Sequence, residues 1–218
     1  MKTSWLDFFL CGVFVSAILA GALAVVWFAL APLSRILFED YHVIVDLFLV
    51  LFAYGLFSAL VVRLMFKFRR IQPGEYSMES SVFIYWKLLT ILYRLGQGAL
   101  LPFTPVFVKP LIEMLFGARI GANVALGGTI DDPYMVSIGD GVVLGNGSLV
   151  SGNVITNGKI RFGEVRIGAG ATVGVNAVVL PGSEIGANAL VVGGAMVMSG
   201  TKIPAGETWR GNPARKWQ

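Results

Sequence analysis

Ile167 to Ile203 reads IGAGATVGVNAVVLPGSEIGANALVVGGAMVMSGTKI. An aliphatic residue returns every sixth position: Ile167, Val173, Val179, Ile185, Val191, Val197 and Ile203. Four places after each of the first six stands a small residue: Ala171, Ala177, Ser183, Ala189, Ala195 and Thr201. Self-similarity at a fixed short period marks a solenoid. Each hexad supplies one short strand and one tight corner, and three hexads close a triangular coil. The aliphatic side chain points inward and stacks on its equivalent one coil away, about 4.8 Å along the axis. The small residue also faces in, near the corner, where space is least. Glycine serves turns that need unusual φ values. No coil buries a core alone, but a stack of them does.

The same phase extends backward through Val150, Leu144, Ile138, Leu126 and Ile120, with Ser148, Val142 and Val124 at the small positions. Between Val150 and Ile167 the spacing is 17, where 18 would hold phase. The stretch from Asn153 to Glu164 is polar and reads as a loop leaving the coil. Most of the 27 glycines fall after Phe116, so the chain has two compositional halves meeting near Gly117.

The first half is of another kind. Only 14% of the 218 residues are charged and 56% are hydrophobic, with mean hydropathy +0.74. A soluble domain is nearer one quarter charged, so part of this chain belongs in lipid. Phe8 to Ser34 carries no charge. About 20 apolar residues span a bilayer core, and this run is too long for a removed signal peptide. Pro32 and Arg35 mark its end, and a second span is expected from Val43 to Val62. Asp46 and Arg63 stand near its ends, within reach of water by snorkelling, although an intramembrane acid such as Asp46 also reads as functional. Lys2 precedes the first span, and Arg63, Lys67, Arg69 and Arg70 follow the second, while Arg35 is offset by Glu39 and Asp40. The positive-inside rule therefore puts both termini in the cytoplasm, as at a bacterial-type inner membrane. The net charge of +4 includes no basic tract away from the membrane flank, which argues against nucleic acid. Cys11, alone in the chain, reads as a small hydrophobe and gives no sign of an oxidising compartment.

Between the halves, Ser81 to Leu95 reads as a helix, with Lys87 and Arg94 on one face. Such a helix lies in the membrane surface or packs on the next domain. Thr104-Pro105 opens another short helix, interrupted at Pro110 and closed by Gly117, that covers the first coil. The expected organisation is a two-helix transmembrane anchor over 1–72, interfacial and capping helices over 73–116, and a repeat domain over 117–218.

These hexads, followed by IPAGETWRGNPARKW (203–217), resemble the hexapeptide-repeat acyltransferases. The resemblance covers Gly117 to Gln218, and the closing GNPARK, Gly211 to Lys216, is typical of the acetyltransferase branch. It implies a mainly β fold, a left-handed parallel β-helix. The hand comes from the resemblance alone, since the general crossover preference is right-handed. It also implies acetyl-CoA or another acyl-CoA as cosubstrate, no metal, and a homotrimer with donor sites between neighbouring β-helices. In the family, a histidine on the projecting loop takes the proton of the acceptor hydroxyl or amine, which attacks the thioester; its pKa suits that task.

In this sequence the position expected to hold that histidine is Asn153, in LVSGNVITNGKI (149–160). His42 is the only histidine, and it lies between the expected spans. Asparagine matches histidine in shape and hydrogen bonding but is no base near neutral pH. Three readings stand open: a naturally non-catalytic member, a chain inactivated by substitution, or another base from Asp131, Asp132 and Glu164. Asp131-Asp132-Pro133 is equally ordinary turn chemistry, and Glu164 with Arg161 an exposed pair of little worth. By the resemblance, pantetheine lies along backbone amides near Gly193, Gly194 and Ala195, and CoA phosphates meet Arg215 and Lys216, with Arg210 as a third cation. The plainer readings are a corner and a solvated tail.

Two functions follow. One is acyl transfer, most simply of acetyl, to a hydroxyl or amine on a membrane-associated glycan or lipid-linked acceptor. The other is a catalytically inactive β-helix that binds or organises partners at the membrane. The zinc trimers built on other β-solenoids need several histidines, and the repeat domain has none.

Overall fold

The computed structural model describes residues 5–217. Lys2, one of the charges used to orient the chain, lies outside them. Two compact units emerge. A helical unit comprises the residues up to Arg70 and Ile84–Thr104, and a β unit comprises Ile71–Phe83 and everything from Pro105 on. The segment after Gln72 is therefore divided between the two units.

In the helical unit, Asp7–Phe68 is a single helical run of 62 residues, long and apolar enough to cross a membrane. The expectation of two separate spans joined by a loop is corrected here. Helix α1 (Trp5–Val25) continues through a π turn into α2 (Ala31–Phe38), then through a 3-10 turn at Glu39–Tyr41 into α3 (His42–Phe68). The connecting residues take helical turns themselves, so no loop intervenes. Direction reverses at Glu39, whose backbone is unusual (φ 45°, ψ −120°). Gly21 faces the Phe57 ring and Ser34 donates to Asp46 (2.6 Å), so α1 and α2 run antiparallel to α3. Asp46 thus has a polar partner. His42 begins α3, its Nδ1 2.7 Å from the Glu39 carbonyl.

Strand β1 (Gly74–Ser77) precedes α4 (Ser81–Leu100). From Ile84 on, this helix groups with the helical unit rather than with the β unit. Ser58 donates to the Leu92 carbonyl (2.6 Å), Lys87 pairs with Asp7, and Leu88, Leu89, Leu92 and Tyr93 are buried. Next, Pro105 leads into a 3-10 turn and α5 (Lys109–Leu115), which packs on the first two strands of the solenoid. Pro110 sits in the first turn of α5 and does not interrupt it. Its missing N–H costs nothing there.

The solenoid has about five turns. The first coil is β2 (Arg119–Ile120), β3 (Ala125–Leu126) and β4 (Thr129–Asp131), and the second is β5 (Val136–Ile138), β6 (Val143–Leu144) and β7 (Leu149–Ser151). An excursion, β8 (Asn153–Thr156) and β9 (Lys159–Phe162), follows. The third coil is β10 (Val165–Ile167), β11 (Thr172–Val173) and β12 (Val178–Val179). The fourth is β13 (Glu184–Ile185), β14 (Leu190–Val191) and β15 (Met196–Val197). Then β16 (Lys202–Ile203) and β17 (Thr208–Arg210) end the stack, and β18 (Arg215–Lys216) folds back antiparallel on β17.

Three parallel sheets form the faces. Face one stacks β2, β5, β10, β13 and β16, and its inward ladder is isoleucine throughout: Ile120, Ile138, Ile167, Ile185 and Ile203. Face two stacks β3, β6, β11, β14 and β17, and face three stacks β4, β7, β12 and β15. The expected small residues Val142, Ala171, Ala177, Ser183, Ala189 and Ala195 are buried at the corners. Coils approach so closely there that a Cβ on Gly186 would stand 2.4 Å from the Ala205 nitrogen.

Two irregularities break the hexad count. Ile130, and not a residue six after Leu126, fills the core of face three, paired with Val150. One corner is short and the next is long. The step from Val150 to Ile167 is an ordinary hexad plus an eleven-residue insertion, not an 18-residue coil lacking one. Both extra segments fall at the corner between faces three and one.

Candidate functional site at the edge between faces three and one

In the first coil this edge carries Asp131-Asp132-Pro133. Asp132 adopts the left-handed conformation (φ 54°, ψ 65°), which Asp tolerates. A 3-10 turn, Pro133–Met135, follows it. Asp132 is fully buried. In the second coil the chain passes Gly152, whose amide donates to the Asp131 carbonyl (3.1 Å). A Cβ on Gly152 would stand 2.6 Å from the Met135 Cβ, so glycine is what lets the two coils touch here.

Asn153 follows at once. Its Nδ2 donates to Asp132 Oδ2 (2.5 Å), while Tyr134 donates its hydroxyl to Asp132 Oδ1 (3.1 Å). Ser151 holds the backbone on both sides, donating to the Asn153 carbonyl (2.8 Å) and accepting from its amide (3.3 Å). A carboxylate only accepts hydrogen bonds, so the Asn153 amide must turn its NH₂ inward. Its Oδ1 is left without a protein donor among the described residues. The site thus offers a fixed hydrogen-bond acceptor on a buried carboxylate.

The polar stretch expected as a loop is a β-hairpin. Asn157 (φ 49°) and Gly158 (φ 71°) make the turn, the Asn-Gly signature of a two-residue hairpin. β9 then pairs on its other edge with β1, giving an antiparallel sheet β1-β9-β8. Ile71, Ile160 and Phe162 are buried in this unit, the Tyr76 ring lies 6.0 Å from Phe162, and Glu75 reaches Lys159 (3.9 Å) and Arg161 (4.0 Å).

Of the alternative bases, Glu164 pairs with Arg166 (2.7 Å), and Arg161 belongs to Glu75. Asp131 is half-buried opposite Ser151, one residue from the carboxylate that Asn153 uses. Asp132, offered by the sequence both as a candidate base and as a turn residue, is the acid of the cluster. Tyr134 was missed, and nothing in the repeat pattern marks it.

The residues expected to hold the donor lie on the other edge of face three. Gly193, Gly194 and Ala195 form the corner from β14 to β15. The Gly194 amide donates to the Val175 carbonyl (2.8 Å) and that of Ala195 to Val192 (3.1 Å), whereas the Gly193 amide has no acceptor among the described residues. Lys216 pairs with Glu207 (2.6 Å), Arg210 lies over the Trp217 ring (4.6 Å), and exposed Arg215 donates to the carbonyl of Ala214 (3.0 Å). Within one chain, Asn153 and the Gly193 corner flank face three and do not meet.

Glu207 accepts from Lys216 and from Trp209 Nε1 (2.9 Å), which together hold its carboxyl below the ordinary value of 4.5. A carboxylate with a depressed folded-state pKa stabilises above its unfolded value and loses that contribution as pH falls through the folded one. Acidification below 4.5 is therefore expected to loosen the β17–β18 turn, read as a tryptophan fluorescence change that Glu207→Gln abolishes.

No protein-family model matches the chain. It is similar to the delta-poly-L-ornithine synthetase of Acinetobacter baumannii (strain AB307-0294), 26% identical over 117 residues, covering 53% of this chain and 8% of that protein. The chain thus spans a small part of that relative's length. Among solved structures, a galactoside acetyltransferase in complex with coenzyme A aligns over 67% of this chain and 86% of its own, at 20% identity and TM-score 0.49. A hexapeptide-repeat acetyltransferase from Vibrio cholerae O1 biovar eltor, complexed with acetyl coenzyme A, aligns over 47% and 60%, at 22% identity and TM-score 0.44.

Proposed function

We propose that this chain binds acyl-CoA, most simply acetyl-CoA, on a membrane-anchored homotrimer and presents the thioester to a hydroxyl or amine of a membrane-associated glycan or lipid-linked acceptor. The observation that carries the reading is the Asp132–Asn153 pair at a projecting hairpin, the place where the resembling enzymes keep their histidine. Attack by the acceptor forms its bond to the acyl carbon and breaks the carbon–sulfur bond. The acceptor's proton leaves to water and the thiolate is protonated as free CoA. Asn153 Oδ1 accepts a hydrogen bond from the nucleophile and orients it, but takes no proton. A chain of this design transfers slowly. The second reading, an inactive scaffold, draws on the same absence of a base.

A homotrimer would bring the two clusters together, which supports that assembly. For Asn153 of one copy to meet the Gly193 corner of another about a threefold axis, the edge between faces one and two must lie on that axis. Faces one and two then pack on their neighbours. The outward ladder of face one is Arg119, Ser137, Arg166, Glu184 and Lys202, along a groove of ≈ 780 Å³. That of face two is Ala125, Val143, Thr172, Leu190 and Thr208. Membrane anchoring is supported by the exposed apolar side chains of the helical run, among them Phe8, Trp27, Phe28, Leu47 and Leu56. The basic residues Arg63, Lys67, Arg69 and Arg70, at and just past the end of that run, favour the solenoid on the cytoplasmic side.

Calorimetry of acetyl-CoA with the detergent-solubilised full chain tests this. Binding on the order of micromolar is expected, weakened about tenfold, or ~1.4 kcal/mol, by Arg215→Ala with Lys216→Ala. Absence of binding by acetyl-CoA and by longer acyl-CoA sinks the acyltransferase reading and leaves the scaffold.

A further inference from the structure

The short cap over the first coil is inside out. Among the described side chains from Pro105 to Ala118, the exposed ones are Pro105, Phe107, Leu111 and Met114, all apolar. Phe107 is 81% exposed and Leu111 58%. The polar residues of the same segment are turned inward: Lys109 Nζ donates to the Gly128 carbonyl (2.5 Å) and Glu113 is buried. A helix capping a domain in water has the reverse arrangement, apolar toward the core and charged outward. Phe107, Leu111 and Met114 stand at helical spacing, so they form one face. Such a face in a soluble monomer marks an interaction site.

We propose that this face, on the 3-10 turn at Val106–Val108 and α5, rests on the bilayer surface, so that the β unit touches lipid directly. The inference rests on the membrane reading above. Chain continuity favours lipid as the occupant. Pro105 follows directly on the helical unit that ends at Thr104, and Leu101, just before, is also exposed. The segment brings no charge to the surface. Its one cation and one acid are tied into the β unit, which suits the acyl boundary, where an apolar helix face buries itself in the interface.

The experiment uses the full chain, with Cys11→Ser, in phosphatidylcholine vesicles. A polarity-sensitive fluorophore is attached at Phe107→Cys, at Leu111→Cys, at Leu56→Cys in α3, or at Lys202→Cys on β16. Labels at 107 and 111 are expected to emit blue-shifted light relative to 202 and to be quenched when doxyl-labelled lipid is included. If 56 is quenched while 107 and 111 are not, the anchor holds and the inference fails. A blue shift at 107 and 111 without lipid quenching means that protein covers the face, and this also overturns it. An unquenched label at 56 removes the membrane reading itself.

Discussion

Asn153→His is expected to raise acetyl transfer about 10²–10⁴-fold, the ordinary worth of a positioned general base. The reason lies in the partner already present. Asp132 Oδ2 sits 2.5 Å from the asparagine nitrogen, inside a site whose carboxylate is also held by Tyr134. An imidazole at this position donates Nδ1–H to the same oxygen. That fixes its tautomer and turns Nε2 outward, where Asn153 now presents Oδ1. The acceptor is not identified, so turnover is followed as CoA release with a panel of small hydroxyl and amine acceptors. The gain is expected to rise with pH through the histidine range, near ~6.5. Adding Asp132→Asn is expected to remove most of it, since an amide no longer selects that tautomer. Unchanged CoA release with intact acetyl-CoA binding would mean that the hairpin is not an acceptor site.

Ile185→Ala is expected to destabilise the solenoid by about 2–5 kcal/mol, the usual range for emptying a buried aliphatic position. Ile185 is almost fully buried and stacks between Ile167 and Ile203 on face one. A solenoid cannot close such a gap by shifting one element, because coil spacing is set by the strand hydrogen bonds on all three faces. Each coil also depends on its neighbours for burial, so the loss spreads along the stack. Denaturant melts followed by circular dichroism at β wavelengths give the comparison. A shift no larger than that of Thr172→Ala, at an outward-facing, half-buried position, would show that the isoleucine ladder is not the core.

The solenoid was legible because its information is local and periodic. From Ile167 to Ile203 the phase holds, and all seven aliphatic positions predicted to point inward are buried; of the small positions, only Thr201 is half-buried. What the count hid lies where it fails. Leu126 to Ile138 looks like two clean hexads, yet the chain takes a short step to Ile130 and a long one past Asp132. Two errors that cancel leave no trace in the phase, so nothing there separated Asp132 the candidate base from Asp132 the turn residue. The hairpin did announce itself through Asn157-Gly158, although the polar stretch was read as a loop. The β1 partnership was beyond reach, because Gly74–Ser77 meets β9 through backbone hydrogen bonds that encode no partner in sequence. In the apolar half, the two runs were visible but the helical turns joining them were not. Arg35 to Tyr41 looks like a loop by composition, and the structure winds it.

The pairing of β1 with β9 bears on where this chain can be cut. A fragment starting at Gly117 keeps every coil but discards β1. The outer edge of β9, Lys159–Phe162, would then show unsatisfied N–H and C=O groups to solvent, and Phe162 would lose the cover of Tyr76. Open edges of that sort recruit strands from other molecules. Such a fragment is expected to self-associate through the hairpin, whereas one that carries Ile71–Phe83 on a tether stays dispersed.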